Sequence, residues 1–351
     1  DAYFTAPAMR EIFSDRGRLQ GMLDFEAALA RAEAAAGLVP HSAVAAIEAA
    51  CHAERYDVGA LANAIATAGN SAIPLVKALG KQVAAHSAEA ERYVHLGATS
   101  QDAMDSGLVL QLRAAIDLIE SDLAALGDGL AAQAERHAET PLAGRTWLQQ
   151  ATPVTLGKLG RDLSLLMQTE AGEVFEPSAP GKGGSSTMPH KRNPVGAAVL
   201  IGAATRVPGL LSTLFSAMPQ EHERSLGLWH AEWETLPEIC CLVSGALQQA
   251  LAIAEGLEVD AERMARNLDL TQGLVLAEAV SIVLAQRIGR DRAHHLLETC
   301  CKRAVAEQRH LRAVLGDEPQ VTGELSATEL DQLMDPAHYL GQARTWVERA
   351  L

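Results

Sequence analysis

Apolar residues recur every three or four positions over most of this chain, a period that predicts helices. Between Ser14 and Ala36, Leu19, Met22, Leu23 and Leu29 keep helical spacing, and Gly37 and Pro40 punctuate the end. The clearest element is 101–136, where Met104, Leu108, Leu112, Ala115, Ile119, Leu123, Leu126 and Leu130 form one stripe. At about 1.5 Å per residue that helix is roughly 50 Å long, and a helix of that length needs equally long partners. Residues 194–217 repeat the theme through Val199, Leu200, Ala204, Val207, Leu211 and Phe215, with a kink expected at Pro208. Residues 236–256 predict another apolar helix. From about 260 the helices become shorter and more charged, with a capping box at Ser326–Glu329 and a break at Pro336. No alternation of strand type runs longer than four residues, and no internal repeat is visible.

The fold class expected is therefore all-α: three helical domains around an elongated central helix bundle. The boundaries fall near 98 and 257, giving an N-terminal helical domain 1–98, a long-helix bundle 99–257 and a C-terminal helical domain 258–351. The only long stretch without periodicity is 172–193, which holds Pro177, Pro180, Gly181, Gly183, Gly184 and Pro189. A loop of that length inside a compact domain is more often functional than idle.

Composition narrows the picture. Aromatic residues are only 4% of a chain that is 48% hydrophobic, so the core is built from Ala, Leu, Val and Ile, which favours close-packed helices. The net charge of −15 excludes a basic nucleic-acid footprint and attraction to an anionic membrane. An anionic substrate would need a local positive island, and Lys182, His190, Lys191 and Arg192 supply one. Cys51, the neighbours Cys240 and Cys241, and the neighbours Cys300 and Cys301 make a poor disulfide framework and read as buried thiols of a reducing cytoplasm. No leader is visible, and the apolar runs carry charges or glycines that leave them short of a membrane span. The histidines show no His-Glu-x-x-His, and neither a dinucleotide nor a Walker-type loop is present, so no metal and no cofactor are expected.

The chemistry concentrates in Gly184-Ser185-Ser186-Thr187-Met188-Pro189-His190-Lys191-Arg192-Asn193, followed by Pro194. Glycines let backbone amides approach an anion, and a helix starting at Pro194 would turn its free amides and positive dipole toward the loop. Lys191, those amides and the helix terminus could each stabilise an alkoxide on Ser185 or Ser186, making it a proton carrier. A solvated hinge with incidental charge has the same composition. Three further stretches stand out. Gly97-Ala98-Thr99-Ser100-Gln101-Asp102 precedes the longest helix, with Ser100 as its expected N-cap. Gly144-Arg145-Thr146-Trp147-Leu148-Gln149 is the second. The third is His222-Glu223-Arg224 with Leu228-Trp229-His230-Ala231-Glu232-Trp233.

The loop matches Gly-Ser-x-x-Met-x-x-Lys-x-Asn, and together with the other stretches it resembles the fumarase/aspartase superfamily over nearly the whole chain. The resemblance implies a cytoplasmic, cofactor-independent lyase that forms a homotetramer, with active sites shared between subunits. It implies that Ser185 moves the carbon-bound proton while Lys191 and Asn193 stabilise the developing charge. It places Thr99, Ser100, Thr146, Trp147, Gln149, Ser186, Met188, His190, Arg192 and Arg224 around the substrate. Many members carry histidine where Trp147 stands; an indole N–H donates a hydrogen bond but shuttles no proton. That tryptophan, Ala68-Gly69-Asn70-Ser71-Ala72-Ile73-Pro74 and the loop itself are most similar to the carboxymuconate-lactonizing branch. The implied reaction is closure of a muconate tricarboxylate to a lactone in protocatechuate breakdown. The alternatives are a fumarate-releasing lyase such as adenylosuccinate lyase, a retired structural homologue and a helical scaffold.

One departure stands out. Members of the family carry roughly ninety more residues, a bundle's worth of helix at about 1.5 Å each, between Thr155-Leu156-Gly157 and Lys158-Leu159-Gly160. Either the chain is shortened there or its numbering closes over a stretch. The second is expected, because the helix 101–136 would otherwise lose partners, and a Cα–Cα distance far beyond about 3.8 Å at Gly157–Lys158 would show it.

Overall fold

The computed structural model describes the chain apart from residues 1, 147–148, 156–160, 180, 182, 186, 189 and 224, and describes only the backbone of 146, 151–155 and 161. The Gly157–Lys158 bond lies outside the described residues. The chain divides into two compact units, residues 1–124 with 202–248 and residues 125–201 with 249–351.

In the first unit, helix α1 (Asp15–Ala35) starts where Ser14 Oγ accepts the Gly17 amide at 3.0 Å. Its Leu19, Met22 and Leu23 bury against Ile47 and against Leu75, Leu79 and Val83. The long helix α2 (Ser100–Arg136) crosses α1 at paired glycines: a Cβ on Gly21 would lie 2.8 Å from the Gly107 carbonyl oxygen, so only hydrogen at both positions permits that approach. Helices α3 (Val195–Ala217) and α4 (Leu228–Gly256) follow, each divided between the units as α2 is. The Trp229 indole N–H donates to Asp105 at 2.8 Å, tying α4 to α2 within the first unit. Helix α3 runs on through Pro208, and α4 begins eight residues earlier than its apolar run suggests, at Leu228 rather than 236.

The second unit holds what the periodicity missed. Strands β1 (Pro141–Thr146) and β2 (Gln149–Thr155) form an antiparallel hairpin, with Pro141 opposite Thr155 and Thr146 opposite Gln149. The register slips between Ala143 and Arg145, and this irregularity, with Gly144 inside it, breaks the two-residue alternation that would have announced a strand. A second, minimal pair joins β3 (Val174–Phe175) to β4 (Glu258–Val259). Leu142, Leu163, Met167, Val174, Ala197, Ile253 and Met264 form the core beneath both pairs. The shorter helices that follow pack around Val280, Leu284, Leu311 and Leu315, and the capping box at Ser326 forms as expected.

The membrane expectation needs correcting. Helices α3 and α4 are both long and apolar enough to cross a bilayer by length and composition. Sparse charge, rather than a membrane function, is what an alanine-rich bundle helix requires, so hydropathy alone does not separate the two.

Candidate active site

The signature loop rises from β3 and returns into α3, and its base is tightly organised. The Asn193 amide donates to the Gly183 carbonyl at 2.9 Å. Gly183 has φ +67°, and a Cβ there would lie 2.7 Å from the Asn193 carbonyl oxygen, so glycine is required twice over. Arg192 donates to Glu258 at 2.8 Å and to the Glu176 carbonyl at 2.8 Å, with its guanidinium 4.6 Å from the Phe175 ring centroid. That contact holds the Glu258 carboxyl below its ordinary pKa, helped by the Ser178 amide.

At the tip, the Oγ of half-buried Ser185 accepts the amides of Met188, at 3.1 Å, and Thr187, at 3.3 Å. Two aligned N–H dipoles stabilise negative charge on that oxygen more than they stabilise a neutral hydroxyl, the arrangement an ionising alcohol needs. Lys191 is exposed, and its backbone amide closes a turn onto the Met188 carbonyl at 3.0 Å. Met188 and His190 are exposed and Asn193 is half-buried. Ser186 lies outside the described residues.

The start of α3 differs from expectation. Its first amides do not face the loop as free donors. The buried carboxylate of Glu176 accepts from Gly196 at 2.9 Å and from Ala197 at 2.8 Å, so the helix N-terminus is already occupied by an anion from the chain itself. Sequence reasoning missed Glu176 because the partner amides lie twenty residues on. The amides that reach Ser185 are thus those of its own loop and not those of the helix terminus.

On β1, Arg145 makes a paired contact with the fully buried Glu173, at 2.9 and 2.7 Å, and Asn267 donates to the same carboxylate at 2.7 Å. This fixes the strand that leads to Thr146, whose side chain, like all of Trp147, lies outside the described residues. Gln149 is exposed, whereas its neighbour Gln150 donates to the Asn267 carbonyl at 2.8 Å.

In the first unit, α2 begins at Ser100, so the N-cap is Thr99 and not Ser100, a shift of one residue. Asp102 explains it: its carboxylate accepts the Thr99 amide at 2.8 Å, closing the turn from the third helical position. Just upstream, His95 sits at φ +57° with Nδ1 2.6 Å from the buried Glu26 carboxylate. That hydrogen bond raises the His95 pKa against the opposing effect of burial, with the charges of Glu26, Asp102 and Glu33 adding to it. Burial and the nearby Glu26 raise Glu33 as well. His95, Glu26 and Glu33 were not singled out in the sequence, where nothing local links positions 26 and 95. Arg224 lies outside the described residues. Thr99 and Ser100 belong to the first unit, and Ser185, Lys191 and Asn193 to the second.

All five cysteines are free, and burial pushes the Cys51 thiol up to about 12, as expected of an inert buried thiol. Among the described residues no three potential metal ligands come together.

A family model described as Lyase matches residues 2–160 and 156–209, and one described as Adenylosuccinate lyase C-terminus matches 273–350. The chain belongs to the fumarase/aspartase superfamily of lyases. Its relatives in that superfamily include the 3-carboxy-cis,cis-muconate cycloisomerase of Pseudomonas putida, 69% identical over 94% of this chain and 99% of the relative. The enzyme of the same name from Pseudomonas aeruginosa is 63% identical over 100% of this chain and 95% of the relative. Among solved structures, the 3-carboxy-cis,cis-muconate lactonizing enzyme from Pseudomonas putida matches with TM-score 0.94 at 70% identity, covering 99% of this chain and 97% of that one. The all-α superfamily fold is thereby established. The Pseudomonas aeruginosa alignment runs over 436 positions against 351 residues here, so at least 85 of its positions (436 less 351) face a gap in this chain. The Lyase model, for its part, matches in two stretches that meet at 156–160.

Proposed function

We propose that this chain is a cofactor-independent intramolecular lyase that converts 3-carboxy-cis,cis-muconate to 4-carboxymuconolactone. The observation that carries the reading is the Ser185 oxygen held by two amides of the loop that also carries Lys191, in a chain whose relatives at 69% and 63% identity bear the cycloisomerase name. One substrate carboxylate oxygen bonds to the conjugated alkene carbon. The π electrons move to the neighbouring carbon and onto its carboxylate as an enediolate. Ser185 then gives its proton to that carbon, and solvent restores the hydroxyl, so the net change is isomerisation. Lys191, Asn193 and the loop amides stabilise the enediolate as preorganised donors. Thr99, Ser100, Thr146 and Gln149 hold the remaining carboxylates, Ser186, Met188, His190 and Arg224 complete the surround, and Trp147 narrows the pocket. Because the nucleophile is internal, no leaving group requires a proton, and a histidine at 147 is dispensable.

The same reading divides the chain into the domains 1–98, 99–257 and 258–351 and makes it a cytoplasmic homotetramer acting on a small polycarboxylate. Val109, Ile116 and Leu123 support the assembly: spaced seven apart on α2, they are 61%, 52% and 50% exposed. Phe215, 62% exposed on α3, adds to that uncovered surface. The alignment gap and the divided family match fit a shortened chain and a numbering gap at Gly157–Lys158 equally.

The test is an ultraviolet assay of 3-carboxy-cis,cis-muconate loss run beside adenylosuccinate cleavage. Muconate turnover alone supports the reading. Adenylosuccinate cleavage alone overturns it in favour of the fumarate-releasing class, and turnover of neither removes the activity from this chain.

A further inference from the structure

Arg192 lies between two catalytic candidates, and its position in the loop suggested a cation for substrate carboxylate. The geometry points to a different role. We infer that Arg192 is a positioning residue that clamps the two stems of the signature loop to the β3–β4 pair, setting where Ser185 and Lys191 stand without touching substrate.

The contacts converge on one guanidinium. One terminal nitrogen donates to Glu258 on β4 and the other to the carbonyl of Glu176 on the outgoing stem. The guanidinium face covers Phe175 on β3. Arg192 itself sits on the returning stem, so a single side chain ties outgoing stem, returning stem and strand pair together. Glu258 extends the tie, because its other oxygen accepts the Ser178 amide at 3.1 Å. The strand pair is itself registered at this point, with Phe175 opposite Glu258. Glu176 bears on the same base from beneath through the α3 amides. A planar fork with two donors and a stacking face does this work; an ammonium provides charge but neither the fork nor the stacking face.

The inference rests on the catalytic reading above, and its test separates the two. In the full chain, Glu258→Gln, Arg192→Lys and the double variant are compared for kcat and KM on 3-carboxy-cis,cis-muconate. In parallel, amide hydrogen exchange is followed on peptides covering 177–191. The clamp predicts that each single variant lowers kcat on the order of tenfold with KM changed far less, since misplacing reacting groups costs rate and not affinity. The double variant should lose no more than the worse single one, because both remove the same contact. Exchange within 177–191 should quicken in all three and stay unchanged in peptides from 277–307. A substrate-binding Arg192 gives the opposite pattern: Arg192→Lys raises KM, Glu258→Gln is silent, and loop exchange does not change. Any one of a silent Glu258→Gln, additive losses or unchanged loop exchange overturns the clamp. Should the parent chain show no turnover, the exchange result alone decides the clamp while the catalytic reading falls separately.

Discussion

The Glu176 carboxylate lies 2.9 Å from the Gly196 backbone nitrogen, in a site where Glu176 is only 4% exposed. A Cβ on Gly196 would stand 3.0 Å from the same oxygen, so glycine is what admits the carboxylate to the helix terminus. Replacing Glu176 with alanine leaves two buried amides without partners. The expected cost is about 1–3 kcal/mol of stability, with glutamine, which keeps an acceptor, costing less. Denaturant unfolding of the three proteins checks this, and equal midpoints for Glu176→Ala and the parent would remove the carboxylate from its capping role.

Ser185→Ala deletes the oxygen on which the Met188 and Thr187 amides converge. If that oxygen carries the proton, turnover should fall by about two to four orders of magnitude while binding of a tricarboxylate inhibitor changes little. Steady-state kinetics beside calorimetric titration with the inhibitor gives both quantities. Near-normal turnover in the alanine variant is the outcome that dismisses Ser185.

The Glu26–His95 contact predicts a pH dependence of stability. Its hydrogen bond raises the folded-state pKa of His95 above the ordinary value, with Glu33 and Asp102 facing the ring as further anions. A histidine raised in this way binds its proton more tightly when folded. Its stabilising contribution is therefore fully present below about pH 6.5 and is lost as pH rises through the higher folded value. Glu33, also raised, erodes stability in the same direction, starting from the lower carboxyl range. Unfolding midpoints measured from pH 6 to 9 should fall with pH in the parent, and the slope should flatten in Glu26→Gln. A parent protein whose stability rises over that window would contradict the sign.

Much of this was legible in the sequence because it is local. The long helix was read as 101–136 and found at Ser100–Arg136, since a 3.6-residue stripe is written in adjacent letters. The Ser326 capping box is equally local. What escaped depends on residues far apart. Glu176 caps amides twenty positions on, Arg192 finds Glu258 sixty-six positions on, and Glu26 meets His95 across sixty-nine. The loop advertised its charges but not their partners, such as Glu258 for Arg192. The β1–β2 hairpin escaped for a different reason: an irregularity at Ala143–Arg145 removes the alternation on which a strand is recognised. Trp147 was the reverse case, a single substitution within a known pattern that pointed to the branch.

The same distance dependence makes Arg145 a sharp test of the second unit. Its guanidinium meets both oxygens of Glu173, which is fully buried, while the arginine side chain stays 29% exposed. Removing the arginine strands a buried carboxylate that Asn267 satisfies only in part. Arg145→Ala should therefore cost about 3 kcal/mol, the lower end for a broken buried pair because water reaches one partner. Arg145→Lys keeps the charge and loses the second hydrogen bond, so it should fall between alanine and parent. Turnover should drop with it, since β1 carries the backbone from Arg145 directly into Thr146. Denaturant unfolding of both variants supplies the comparison. A loss below about 1 kcal/mol for Arg145→Ala, the size of an exposed ion pair, would mean that Glu173 is held by Asn267 and its own backbone without the arginine.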